Sequence, residues 1–287
     1  MKIIISIILV SLLTSLSFSQ EIDTTNLGYL YKFKSSNSSF PNANRIEGHK
    51  YGDNYYSSLE HYADSTVLIF IPNNLNKSNS IDVVFYFHGW WNNIDSSITQ
   101  FNLIEQFYKS NKNAILVIPE TAKNAPDSFG GNLEGKNVFN KLTSEVVEHL
   151  NKFTKTNYTL GNITLAGHSG GYRVISYILL HGGLTDRVKN VILFDALYAD
   201  VEKYSYWINK NNGKFFNIYT QNGGTKAESE DLMICFDAWG LQYKFFNDDF
   251  LVDDLKETRI NFIESKLGHS EVIHTANQFQ KFLEACL

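Results

Sequence analysis

The sequence predicts a mixed α/β fold, a mostly parallel central sheet flanked by helices on both faces. Three observations carry that prediction. From residue 61 to the C-terminus, short branched or aromatic runs alternate with segments of helical periodicity, the order in which βαβ units read. At residues 163–175 one such run meets one such segment with only Gly167-His168-Ser169-Gly170-Gly171 between them, room for no more than a sharp strand-to-helix turn. No internal repeat, Pro-rich linker or second-domain signature interrupts the alternation, so residues 61–287 read as one domain.

Ahead of that domain, residues 1–19 read as an export signal. Lys2 gives a positive start, the run from Ile3 to Leu13 is apolar apart from Ser6 and Ser11, and Ser17-Phe18-Ser19 fits the small-x-small cleavage rule, leaving Gln20 as the new N-terminus. The run is too short for a membrane span, which needs roughly 20 apolar residues. No cysteine at the cleavage site offers a lipid anchor, so the expected location is periplasmic or extracellular, with no stable membrane anchor. Residues 20–60, rich in Asn, Ser, Tyr and Gly, read as a loosely ordered lead-in with one or two edge strands such as 28–33.

The alternation then runs in order. Strands are expected at 66–71, stopped by Pro72, and at 83–87. A helix follows at 98–108, capped near Ser96 or Ser97, then a strand at 114–118, ended by Pro119. The loop 120–131 carries Pro126, Asp127, Gly130 and Gly131, the punctuation of a functional connection. Residues 137–153 put Phe139, Leu142, Val146, Val147 and Leu150 on one helical face. After the turn at Ser169 the helix ends at Gly182-Gly183. Strands at 191–194 and 215–220 flank a short helix at 201–208. A helix at 228–239, a less regular stretch at 242–250, a strand at 259–264 and a helix at 271–285 complete the chain.

Composition removes several classes of function. A net charge of −5 with mixed signs leaves no basic patch for nucleic acid. No Cys/His cluster has metal-ligand spacing, so neither a structural metal nor a cofactor is expected. Cys235 and Cys286 fit a disulfide or two buried thiols equally, and neither reading gives them a catalytic role.

The turn at Ser169 carries the chemistry. A strand before and a helix after give the Gly-x-Ser-x-Gly pattern its meaning: the backbone at the serine is strained, the hydroxyl stands above the sheet edge, and Gly167 and Gly171 remove side chains that would collide. A serine that merely caps a helix needs no glycine on either side of it. Two more motifs accompany the turn, His88-Gly89-Trp90-Trp91 after the strand at 83–87 and Gly268-His269-Ser270 after the last strand.

With these three motifs the chain resembles the α/β-hydrolase family over nearly everything after the N-terminal region. The resemblance implies the α/β-hydrolase fold, Ser169 as nucleophile and His269 as its base. His274, a turn into the last helix, is then structural. It also implies an oxyanion hole from the backbone amides of Gly170 and Trp90, with Gly89 letting the loop approach and His88 bracing it. Two adjacent indoles cannot both point inward from an extended segment, so at least one of Trp90 and Trp91 should line the cleft. Gly89, Trp90, Trp91 and Tyr198 are the candidate substrate contacts.

The family usually carries its acid after the strand that here spans 215–220. That strand is followed instead by Gln221-Asn222-Gly223-Gly224, with no acid before Glu228. Asp195 comes directly off the strand beside the serine's own, where an unpaired carboxylate would cost several kcal/mol, on the order expected for a buried charge. The expected triad is therefore Ser169, Asp195 and His269, with Glu228 in reserve. The activity this implies is hydrolysis of a carboxylic ester, on a small molecule or a polymer, without a cofactor. A peptidase or amidase on the same machinery, or a catalytically silent binding protein, are the competing readings.

Overall fold

The computed structural model describes residues 21–76 and 78–286; the expected export signal lies outside the described residues. Ten strands form one sheet in the order β1-β2-β5-β7-β6-β8-β9-β10-β12-β11. These are β1 (Glu21–Thr24), β2 (Gly28–Lys34), β5 (Thr66–Pro72), β6 (Ser80–Phe87), β7 (Ala114–Pro119), β8 (Thr159–His168), β9 (Val188–Phe194), β10 (Lys214–Thr220), β11 (Lys244–Phe246) and β12 (Ile260–Ser265). A separate hairpin pairs β3 (His49–Tyr51) with β4 (Asn54–Tyr56). From β7 to β11 every pairing is parallel, while β5 runs against both its neighbours and β1 against β2. Chain order reverses at the centre: β6 is followed by β7 on one side and, after a helix, by β8 on the other. The loops leaving β6 and β8 therefore diverge and open a crevice at the carboxyl ends of the strands.

Side-chain alternation along the strands builds a core on each face. Val83, Phe85 and Phe87 point one way, toward α4 (Val138–Thr154), α5 (Tyr172–His181), α6 (Val201–Lys210) and α7 (Lys226–Trp239). Val84 and Tyr86 point the other way, toward α2 (Ile94–Gln100), α3 (Leu103–Lys109), α8 (Val252–Lys256), α9 (Glu271–His274) and α10 (Gln278–Cys286). Cys235 lies on α7 and Cys286 at the end of α10, so the sheet stands between them; both thiols are free. Among the described residues no helix is long and apolar enough to cross a membrane.

Several expectations need correction. The helix expected at 98–108 is two helices, because Asn102 takes a left-handed backbone (φ 50°) between α2 and α3. The cap of α2 is Asn93, whose side chain accepts from the Ser96 amide, rather than Ser96 or Ser97. The helix expected at 271–285 breaks likewise, with Ala276 at φ 55° between α9 and α10. The stretch read as less regular contains β11, and α8 follows it; both are too short to show a period.

The lead-in is held more firmly than its composition suggests. β1 and β2 extend the sheet, and Phe40, Tyr56 and Tyr62 form a third apolar cluster with Ala122, Ala125 and Phe129 of the 120–131 loop. The short helix α1 (Ser58–His61) leads into Tyr62. Arg45 donates from Nε to Asp127 at 2.7 Å while its guanidinium lies 4.7 Å from the Phe129 ring, and Arg173 approaches the same ring at 5.5 Å.

Candidate active site

Ser169 follows the last residue of β8 with φ 51°, a left-handed conformation that costs a non-glycine residue on the order of 1–3 kcal/mol. One 3₁₀ turn, Ser169–Gly171, links strand to helix, so α5 starts at Tyr172. The glycines answer to contacts. A Cβ on Gly167 would come 2.6 Å from Ile175 Cδ1, and one on Gly171 would come 2.5 Å from the Phe87 carbonyl oxygen.

Asp195 sits just past β9, also left-handed at φ 44° and almost wholly buried. Its carboxylate accepts from four donors: His269 Nδ1 at 2.6 Å, the Thr220 amide at 3.2 Å, the Thr220 hydroxyl at 3.1 Å and the Thr225 hydroxyl. Burial pushes its pKa up, but the bonds from His269, Thr225 and Thr220 outweigh it and hold the group below the usual carboxylate range. Because a carboxylate only accepts, Nδ1 of His269 carries the hydrogen and Nε2 is left as an acceptor.

The structure thus brings Asp195 to His269, in the loop between β12 and α9. Glu228 stays in the first turn of α7, whose preceding residue Thr225 is the one that reaches Asp195. His274 turns back on its own helix, with Nδ1 3.1 Å from the Ser270 carbonyl and its ring stacked near Phe101.

Beneath this pair lies His168, which the sequence reading passed over. It is buried, its Nε2–H donates to the His269 carbonyl at 3.0 Å, and the two rings are 4.5 Å apart. Burial, reinforced by His269 nearby, lowers its pKa to about 3, so it is neutral. Its hydrogen bond fixes the backbone of His269 while Asp195 fixes the ring. Ser169 and His269 line one cavity but make no hydrogen bond to each other here; such bonds often close only on a bound substrate.

Across the cavity, His88 is wedged between two acceptors, Gly89 O at 2.9 Å from Nδ1 and Glu120 Oε1 at 2.7 Å from Nε2. Glu120 in turn accepts from the Ile94 amide at the start of α2. With its carbonyl turned to His88, the trans Gly89–Trp90 peptide directs the Trp90 N–H the opposite way. The loop also presses on the serine, since a Cβ on Gly89 would fall 2.5 Å from Ser169 Cβ. The Trp91 amide is engaged by Ala125 O at 3.1 Å, whereas the Trp90 amide has no hydrogen bond among the described residues. The Gly170 amide lies in the first turn of a helix, where N–H groups lack partners in the helix.

Both indoles line the cleft, because the segment is not extended at Trp91. Trp91 is left-handed at φ 60°, and Trp90 and Trp91 are 37% and 56% exposed, both lining the cavity. Trp90 Nε1 donates to Ser128 Oγ at 2.7 Å, and its ring meets Tyr51 of the β3–β4 hairpin edge to face. Trp91 meets Tyr56 in the same way. The cavity measures about 620 Å³ and collects Trp90, Trp91, Phe101, Tyr172 and Tyr198 around Ser169 and His269. Among the described residues no group of His, Cys, Asp or Glu is arranged to hold a metal ion.

No protein-family model matches the chain, and no curated protein matches it. Solved structures do. A ferulic acid esterase aligns over 76% of this chain and 91% of its own, with 14% identity and a TM-score of 0.52. A feruloyl esterase module from Clostridium thermocellum, in complex with sinapinate, covers 77% of this chain and 82% of its own at 11% identity, TM-score 0.54. A fluorophosphonate-binding serine hydrolase of Staphylococcus aureus, substrate bound, covers 78% and 94% at 10% identity, TM-score 0.51. At such identities the likeness is one of fold: the chain has the α/β-hydrolase fold.

Proposed function

We propose that this chain is a serine hydrolase of carboxylic esters, with Ser169 as nucleophile, His269 as general base and then acid, and Asp195 as the group that orients His269. The observation that carries the reading is the 2.6 Å bond from His269 Nδ1 to a buried Asp195, in a loop that shares its cavity with a strained serine. Nε2 takes the Ser169 proton as Oγ attacks the ester carbonyl; Asp195 stabilises the imidazolium that forms. The amides of Gly170 and Trp90 receive the oxyanion. His269 then gives the proton to the departing alcohol, and water repeats the sequence on the acyl-enzyme.

The five aromatic side chains around the cavity favour an apolar, ring-bearing acyl group. That agrees with the similar feruloyl esterase module that holds sinapinate. A panel of chromogenic esters and amides, graded from acetyl to aryl-acyl, tests the reading beside a Ser169→Ala control. Aryl-acyl esters should be hydrolysed fastest and the control should be inactive. Amides cleaved in preference to esters would make the chain an amidase, and equal rates in the control would end the proposal.

We also infer that residues 1–19 are an export signal, which would make this a periplasmic or extracellular enzyme beginning at Gln20. Intact-mass measurement on protein from its native host should find the leader removed; a full-length cytoplasmic chain contradicts export.

A further inference from the structure

Ser169 has a hydroxyl neighbour that the proposed mechanism leaves unused. Tyr198 follows Asp195 closely in the chain, and its phenol comes within hydrogen-bonding reach of the Ser169 side chain. Both side chains line the cavity that His269 also lines.

Backbone and packing set that reach. The Asp195 amide donates to the Ile218 carbonyl at 2.7 Å, and Ala196 and Leu197 are fully buried, so the chain is pinned up to the residue before Tyr198. The Tyr198 amide then turns back to the Ala196 carbonyl at 3.0 Å. Its ring is bounded on three sides. It meets the His269 ring edge to face with centroids 6.3 Å apart, lies 6.1 Å from the Tyr172 ring, and rests on Gly224, where a Cβ would come 3.0 Å from it. A tyrosine turns about two side-chain torsions only, so a ring confined in this way delivers its hydroxyl to a fixed place.

We propose that Tyr198 is a further catalytic residue, whose hydroxyl donates to Ser169 Oγ and holds it oriented for attack. The proposal deepens the reading of Ser169 as the nucleophile and rests on it. A serine hydroxyl has one hydrogen and two lone pairs. With the phenol on one pair, the hydrogen is left for His269 Nε2 and the other pair for the ester carbonyl. Attack forms the bond from Oγ to the carbonyl carbon as the hydrogen passes to Nε2. Deacylation breaks that bond, and Oγ keeps the electron pair and takes the proton back from His269. The phenol retains its own proton throughout and stabilises the charge that gathers on Oγ in both directions. Burial, aided by the Asp195 charge, raises its pKa to about 12, so it stays a donor over the working range of the enzyme.

The test is Tyr198→Phe, which keeps the ring and removes only the hydroxyl. On an aryl ester kcat should fall about tenfold, the worth of one hydrogen bond to a developing charge, with KM within about twofold of wild type. The rate of fluorophosphonate labelling at Ser169 should fall by the same factor, because it reads attack by Oγ rather than recognition of an ester. The acid limb of the pH–rate profile, which belongs to His269, should not move, nor should the urea midpoint. Ser169 labelled at equal rates in wild type and variant overturns the role of Tyr198 alone. So does a raised KM with kcat unchanged, which makes Tyr198 a substrate contact. A shifted acid limb or a lowered urea midpoint overturns it too, by making the ring mere packing for His269 or the fold. Failure of the underlying reading shows in the wild type instead: if Ser169 takes no label there, the nucleophile falls and the role of Tyr198 falls with it.

Discussion

The two walls of the cleft hold their working groups by different means. On one wall, Ser169, Asp195 and His269 follow the carboxyl ends of β8, β9 and β12 closely, and parallel strands held in register set their spacing. Their main adjustment is a left-handed backbone at Ser169 and Asp195. On the other wall, Trp90 also lies a few residues past a strand, β6, but contacts outside the sheet hold its ring in place. It is held by His88 and Glu120 from below, by Ser128 and Ala125 of the 120–131 loop, and by Tyr51 of the β3–β4 hairpin. That loop is in turn held by Arg45. One wall is a property of the sheet; the other is a chain of side-chain contacts between segments far apart in sequence. A substitution of Ser169, Asp195 or His269 should therefore strike the chemistry first, and one on the second wall should strike alignment and stability together.

The largest effect should come from Asp195→Asn. The fold stays, the histidine takes the wrong tautomer, and kcat falls on the order of 10⁴-fold, read by steady-state kinetics on an aryl ester. Glu228→Gln should stay within about twofold of wild type, since Glu228 is not at the site. If those two results are exchanged, the strand-tip account of the acid fails.

Next is His88→Ala, on the second wall. Loss of the brace should cost on the order of 10² in kcat, comparable to losing an oxyanion donor. Glu120 then keeps the Ile94 amide but loses its side-chain partner, which should destabilise the fold by about 1–3 kcal/mol, measured by urea denaturation. Full activity with a lowered Tm would make His88 a purely structural residue and weaken the contrast between the walls.

A third test returns to the first wall. His168 is neutral when folded, with a pKa lowered to about 3, while its unfolded imidazole takes a proton near roughly 6.5. Between those values the unfolded chain binds the extra proton, so stability is lost as pH falls, by about 2 kcal/mol between pH 7 and 5. His168→Gln should remove that slope from the denaturation free energy; an unchanged slope would mean that His168 titrates normally. The smallest effect is expected from Ser128→Ala, which frees the Trp90 indole without touching its amide. KM for aryl-acyl esters should rise about threefold with kcat little changed, the worth of one hydrogen bond.

The first wall was legible in the sequence and the second largely was not, for the same reason. Ser169, Asp195 and His269 follow apolar runs that announce their strands, so chain order gives their positions. Asp195 could be preferred to Glu228 because a charge at the tip of a buried run needs a partner. The threonines that supply part of that partnership, Thr220 and Thr225, carried no signal, since a hydroxyl near a strand end is ordinary. On the second wall the His-Gly motif marked the loop, but Arg45, Ser128 and the β3–β4 hairpin act across separations of 82 and 38 residues or more, where no period connects them. The broken helices were missed because left-handed Asn102 and Ala276 interrupt patterns that remain apolar on either side.

The proposed chemistry depends most directly on Ser169. Wild type treated with a fluorophosphonate probe, then digested and mapped by mass spectrometry, should carry one adduct per chain, on Ser169, with Ser169→Ala unmodified and His269→Ala modified far more slowly. An adduct on another residue, or stoichiometric modification of Ser169→Ala, would contradict the account.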